Sequence, residues 1–292
     1  MAKSNNNEIK ARSKWTLGDI VVHIILVILS VIWVLPIAWI IMISFRGEKG
    51  QYVSTLLPKS LTLANYTKLF TDTGILNFMQ MFKNTLIIAI FSCIISTAFV
   101  LAVSYCMSRM RFKMRKPFMN IAMILGLFPS FMSMIAVYYI LKALNLADGA
   151  MIRVALIIVF SAGSGVGFYV AKGFFDTIPK ALDEAAIIDG ATRWQVFTKV
   201  TVPLSKPIIV YTILTSFMTP WIDFIFGKVI CRADAQYYTV SIGLWKMLEK
   251  EYIDSWYTCF AAGAVVVSIP IAILFLVTQK FYVEGMSGAV KG

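Results

Sequence analysis

Few side chains in this sequence could do covalent chemistry, and the sequence does not gather them. The single histidine, His23, stands near Asp19 at the start of an apolar run, and one imidazole alone builds neither a triad nor a metal cluster. Cys93, Cys106, Cys231 and Cys259 show no C-x-x-C or other metal spacing and read as free thiols inside packed structure. No G-x-x-x-x-G-K-[ST] string occurs, so no loop is shaped to cradle a nucleotide's phosphates. Gly163, Gly165 and Gly167 come nearest. They lie inside an apolar run with no lysine at the right offset, and Gly163 with Gly167 makes a G-x-x-x-G face suited to close helix packing. No catalytic, cofactor-binding or metal-ligating residue is assigned.

The polar residues that do stand out are of another kind. Asp223 interrupts an apolar stretch, Pro207–Gly227, and a carboxylate there costs a few kcal/mol in a bilayer unless it faces water or the bundle interior. It could hydrogen-bond a hydroxyl-bearing ligand or shape a gate; a helix-satisfying or gating role is preferred near Pro220, which breaks the helix ladder. Trp221, Tyr237, Tyr238 and Trp245 could stack on a ligand ring or anchor at a membrane interface. The densest grouping is DTIPKALDEAAIIDGATRWQVFTKVTVPLSKP, residues 176–207. It predicts a helix over Ala181–Asp189, a break at Gly190, a second amphipathic stretch over Ala191–Val200, and a stop at Pro203 and Pro207. Such an elbow, with small Ala185 and Ala186 beside Glu184 and Asp189, is suited to lie in a partner's groove. Lying flat among lipid headgroups is the plainer alternative.

The elements that carry these residues follow from composition. Of 292 residues, 59% are hydrophobic and 14% charged, with a mean hydropathy of +0.78. A soluble domain is roughly 45–50% apolar and about 25% charged, so one soluble core cannot hide this much oil. Disordered, collagen-like and disulfide-stapled classes are excluded on the same ground, leaving a polytopic membrane protein. The net charge of +12 does not point to nucleic acid, because Lys and Arg punctuate apolar runs and do not gather on one face.

Charge-free intervals run Ile20–Phe45, Asn84–Ser108, Pro117–Leu141, Val154–Ala171 and Ser255–Gln279, with Pro207–Ile222 continuing through Asp223 to Gly227. Helices of about 20 apolar residues cross a bilayer, so six transmembrane helices are expected. The short segments 1–19, 109–116, 172–206 and 280–292 hold 16 Lys and Arg against 11 on the other side, which places both termini in the cytoplasm. The first apolar run, 26 residues long, exceeds the core of a cleavable signal and is followed by no small-residue cleavage site.

Glu184-Ala185-Ala186-x3-Gly190, with Val200-x-Val202-Pro203 nine residues on, resembles the EAA loop of ABC importer permeases; Val200 and Val202 stand where the family pattern has Ile and Leu. IIDGAT, PWIDFIF, AVSYCMSRMRFKMRK and the ending FYVEGMSGAVKG are similar to the carbohydrate, maltose/maltodextrin-like branch, of the second-subunit kind. The resemblance covers the chain from residue 17. It implies an all-α membrane protein of the type I permease fold: a cytoplasmic segment 1–19, a six-helix domain 20–281 carrying the coupling loop 176–207, and a cytoplasmic tail 282–292. It further implies a permease subunit of a binding-protein-dependent importer that moves a sugar or oligosaccharide by ATP-driven alternating access. Partners would be a second permease in a heterodimer, two ATPase subunits that bind the ATP and Mg, an extracytoplasmic solute-binding protein, and membrane lipid. The setting would be a bacterial cytoplasmic membrane. Glu184, Ala185, Ala186, Asp189, Gly190 and Pro203 would couple to the ATPase, and Gly288 and Lys291 in the tail would reach it. Asp223, Trp221, Tyr237, Tyr238 and Trp245 would line the path or gate. The alternative from another class is an ion-coupled secondary transporter, against which the near absence of charge in the spans weighs.

Overall fold

The computed structural model describes residues 16–51, 55, 57–127, 130–162, 167–232 and 234–289, without the side chains of 130–131 and 282–289. Among the described residues the chain is helical, apart from one isolated antiparallel bridge between Arg46 and Leu61. Three helices are long and apolar enough to cross a membrane: α1 (Leu17–Ser44), α3 (Phe78–Arg109) and α14 (Ile253–Ala289, apolar through Phe281). Between α1 and α3 a short helix, α2 (Ala64–Thr71), packs on α14.

The remaining expected spans are interrupted. Pro117–Leu141 is divided into α4 (Arg115–Gly126) and α5 (Ser130–Ala143). Phe128 and Pro129, between them, lie outside the described residues. The fourth is α6 (Met151–Ala162) and α7 (Gly167–Thr177), inclined by 42° to one another. Gly163 and Gly165 of the expected packing face lie outside the described residues. The fifth, α11 (Lys206–Ile222), stops at Asp223 and does not run on to Gly227. The chain between it and α14 folds back as α12 (Ile225–Cys231) and α13 (Val240–Met247). By length and composition up to five spans qualify, counting each bent pair once.

α3 is the spine of the molecule, packing on α6, α7 and α11. Its buried residues recur every fourth position: Asn84, Ile88, Ser92, Ser96, Val100, Ser104 and Ser108. At about 100° per residue a four-residue step overshoots a full turn by about 40°, so the stripe winds around the helix and meets different neighbours in succession. Asn84 donates through Nδ2 to the carbonyls of Gln236 and Tyr238. Cys93 reaches the Ile213 carbonyl on α11, and Ser104 donates to the Phe168 carbonyl on α7. Small residues at these points let apolar helices approach closely and supply hydrogen bonds where water is absent. α13 slots in because position 243 is glycine: a Cβ there would stand 2.5 Å from Met81 Sδ.

α1 begins with a capping box, in which Thr16 Oγ1 accepts from the Asp19 amide and Asp19 Oδ2 accepts from the Thr16 amide. His23 Nδ1 lies 2.6 Å from the Asp19 carbonyl, a local helix-end contact. α1 touches α14, yet none of its most apolar stretch is buried within the chain. That face is left for lipid or another subunit.

Candidate functional site

The elbow forms as two helices around a glycine. α8 spans Lys180–Ile188, and Gly190 follows at φ +85°, in the left-handed region that glycine enters without strain. The chain restarts at α9 (Arg193–Val196) under a second capping box: Gln195 N donates to Thr192 Oγ1, and Thr192 N donates to Gln195 Oε1. A π turn over Phe197–Thr201 carries the helix directly into α10 (Val202–Leu204), and the segment ends one residue past Pro203, close to the expected stop. Pro207 stands in the first turn of α11, which leaves at 81° to the segment 193–204. Pro203 thus lies at the end of one helical segment and Pro207 at the start of the next.

Glu184, Ala185, Asp189, Gly190 and Pro203 are exposed and Ala186 is half-buried. Beside them Ile188 is 84% and Trp194 70% exposed, a cost that makes sense for a surface kept for a partner. What the sequence reading missed is how the elbow is fastened. Asp183, one residue before Glu184, points inward, its Oδ2 3.1 Å from Arg109 Nε at the end of α3. Arg109 also donates through Nη2 to the Ile178 carbonyl at 2.9 Å, and the Arg109 and Asp183 side chains are only 5% and 12% exposed. Ser108 Oγ donates to Asp176 Oδ1 at 2.6 Å, while Lys172 pairs with the same carboxylate's other oxygen. Tyr105 reaches the Arg193 carbonyl. A 770 Å³ cavity, lined by Arg109, Arg111, Lys180, Asp183, Glu184 and Arg193, lies between the end of α3 and the elbow. The signal was present in the cluster Arg109–Lys116, which orientation counting used only as charge.

A second cavity, of 720 Å³, opens between α5, α6 and α11. One wall is mostly aliphatic, with Val137, Ile140 and Leu141 beside Ser133; the other is the α11 face carrying Tyr211, Thr212, Thr215, Ser216, Thr219 and, at the helix end, Asp223. Asp223 Oδ1 accepts from the Gly227 amide at 3.0 Å, tying the start of α12 to the end of α11, and its carbonyl accepts from Ser241 Oγ. Of the five path or gate candidates, the structure brings Asp223 alone to this cavity. Trp221 is 2% exposed and packs edge-on against Phe82. Tyr237 lies buried under the Arg153 guanidinium, and buried Tyr238 donates its hydroxyl to the Arg232 carbonyl. Trp245 is exposed and rests against Phe224. The rings of Trp221, Tyr237 and Tyr238 are thus occupied by packing, because the turn Ala235–Tyr237 and α13 fold back onto α3, and α12 onto α5 and α6, instead of lying open as a loop. Of the two tail positions, Gly288 lies in the continuation of α14, and Lys291 lies outside the described residues.

Apolar helices long enough to span a bilayer, a cavity with one polar wall among them, and an exposed elbow locked to the spine helix define a helical membrane permease. The chain belongs to the family of binding-protein-dependent transport system inner membrane components, whose model matches residues 94–287, a region that holds both the elbow and the α11 wall. It is 32% identical to the galactooligosaccharides transport system permease protein GanQ of Bacillus subtilis (strain 168), over 92% of this chain and 94% of that one. To the maltodextrin transport system permease protein MdxG of the same organism it is 30% identical, over 94% and 97%. Among solved structures, a bacterial ABC transporter involved in the import of the acidic polysaccharide alginate matches with a TM-score of 0.74 at 24% identity. That match covers 92% of this chain and 99% of the other, and the likeness is one of fold. The ion-coupled alternative finds no support in these relatives.

Proposed function

We propose that this chain is the membrane subunit through which an ABC importer passes a sugar or oligosaccharide into a bacterial cytoplasm, across the cytoplasmic membrane. The observation that carries the reading is the elbow. Its outer face presents Glu184, Ala185, Ile188 and Trp194 to a partner, while its inner face is joined through Asp183 to Arg109 on the helix that contacts α6, α7 and α11. A push on the elbow therefore reaches the helices around the cavity as a rigid-body motion. Nothing in the sequence supplies fuel for that motion, so ATP and Mg belong to two separate ATPase subunits docked at Glu184, Ala185, Ala186, Asp189, Gly190 and Pro203. The apolar α1 face and the cleft open on one side call for a second permease, and a solute-binding protein delivers the sugar from outside. The basic segments put the elbow, both termini and the tail with Gly288 and Lys291 on the cytoplasmic side of a six-span topology, in which α4 and α5 together make the third crossing. Support for sugar as cargo comes from the names of the relatives and from the hydroxyl-bearing wall of the cavity.

Copurification of this chain with its partners, followed by sugar-stimulated ATP hydrolysis and uptake across an oligosaccharide panel, tests the reading. Uptake in intact cells should collapse on ATP depletion and survive an ionophore. The opposite pattern would remove the proposal.

A further inference from the structure

The α11 wall of the 720 Å³ cavity has an unusual polarity. Thr212, Thr215 and Thr219 each donate their hydroxyl proton to a carbonyl of their own helix: Thr212 to Ile208 at 2.8 Å, Thr215 to Tyr211 at 2.9 Å, and Thr219 to Thr215 at 2.9 Å. A hydroxyl whose proton is committed in this way faces outward with lone pairs only. Asp223 extends the row, one oxygen engaged by the Gly227 amide and the carboxylate itself acceptor-only when ionised. Among the described lining residues there is no Lys or Arg, and Asp223 is the single carboxylate. Positions 212 to 219 span about 10 Å along the helix at about 1.5 Å per residue. The row is long enough for more than one ring of a chain-like ligand to touch it.

We infer that α11 is a specificity-determining rail that accepts hydrogen bonds from the hydroxyls of an uncharged saccharide and rejects uronates. A neutral sugar ring offers several O–H donors on its edge and C–H groups on its faces. The edge satisfies the rail while Val137, Ile140 and Leu141 receive a face. A uronate would bring a carboxylate to a wall on which the three threonines and Asp223 only accept, where the Tyr211 and Ser216 hydroxyls are neutral donors and no Lys or Arg stands among the described lining residues. An unpaired charge in such a site is far more costly than a lost neutral hydrogen bond. This inference rests on the sugar-import reading above and adds the class of sugar.

The test uses the complete complex in proteoliposomes, with its solute-binding protein. A maltodextrin and a galactooligosaccharide of equal length are each compared with their C6-oxidised uronate forms, all supplied already loaded on the binding protein so that its own choice is bypassed. Whichever neutral form is carried should enter at least about tenfold faster than its uronate. Thr215→Val with Thr219→Val keeps shape and β-branching while removing two acceptors, and should slow neutral uptake by about twentyfold. Thr215→Ser with Thr219→Ser keeps both oxygens and should stay within about threefold of the parent. Asp223→Asn retains an acceptor for Gly227 and removes the charge, so the preference for the neutral sugar should narrow. Equal entry of neutral and oxidised sugar overturns the rail; this is what a cation supplied by the second permease would produce. So does wild-type uptake by the double valine variant, or equal damage from the valine and serine pairs. If the unaltered complex carries neither sugar, it is the sugar-import reading that fails.

Discussion

Arg109→Met probes whether the elbow is fastened or merely adjacent. The substitution keeps most of the side chain's length and apolar stem, but removes the Nε contact to Asp183 at 3.1 Å and the Nη2 bond to the Ile178 carbonyl at 2.9 Å. An exposed ion pair would contribute about 0–1 kcal/mol. This pair is not exposed, with side chains 5% and 12% accessible, so removing the cation leaves the Asp183 carboxyl group largely out of water and without its charged partner. Breaking a buried pair from one side costs about 3–5 kcal/mol, which shifts the balance between seated and unseated elbow by about two to four orders of magnitude. The remaining ties are Ser108 to Asp176 and the longer Tyr105 contact to the Arg193 carbonyl. Amide hydrogen exchange over residues 180–204, measured in the assembled complex without nucleotide, should accelerate strongly. Sugar moved per ATP hydrolysed should fall, because the ATPase then pulls on an elbow that slips. Arg109→Met with Asp183→Leu removes both charges and should recover much of the loss, since a buried pair replaced by apolar groups is often neutral or stabilising. Unchanged exchange and unchanged transport in the single Arg109→Met variant would refute the fastening argument.

Three further outcomes follow from the same geometry. Glu184→Lys reverses the one carboxylate on the outer face of α8 and should abolish uptake while leaving membrane insertion intact, as read by uptake and by protease mapping of the inserted chain; wild-type uptake would remove Glu184 from the docking surface. At Gly190 a Cβ would meet nothing within 4 Å, so any penalty is that of φ +85° alone. Gly190→Val should cost about 1–2 kcal/mol and impair ATPase copurification, Gly190→Asn should be nearly silent, and equal behaviour of the two would show that steric contact with the ATPase, not the turn, sets the requirement. Glu48 accepts the amides of Lys59 and Ser60, and backbone hydrogen bonds, first its own, hold its carboxyl below the usual range against a smaller opposing effect of burial. Its clasp on the 46–61 loop should therefore be fully formed above the ordinary glutamate value of about 4.3 and be lost only as pH falls through the lower folded value. Exchange protection at Lys59 and Ser60 that disappears already near neutral pH would contradict this.

What the sequence could disclose depended on whether a feature was local. Gly190 as a hinge followed from residue type and position, because a left-handed turn between two amphipathic runs needs no tertiary information. The long apolar runs of α1, α3 and α14 were legible for the same reason: the bilayer reads length and composition directly. The end of α4 at Gly126, the inclination of α6 to α7 and the end of α11 at Ile222 were not legible, since an uninterrupted apolar run does not show where its ladder stops. The stop near Pro203 was legible from residue type, whereas the π turn over Phe197–Thr201, whose first residue packs on Tyr105, was not. Asp183 was invisible beside Glu184 for a geometric reason. Successive residues on a helix point about 100° apart, so Glu184 is exposed while Asp183 faces Arg109, 74 positions earlier in the chain. The aromatic candidates failed in the opposite direction. Trp221, Tyr237 and Tyr238 have the chemistry to hold a sugar, but α11, the turn at 235–237 and α13 pack on α3 and consume those rings as core, leaving the proposed recognition to threonines whose role depends on where their protons already point. In a membrane bundle the conspicuous polar groups are drawn inward to satisfy one another, and the groups left facing the passage are the inconspicuous ones.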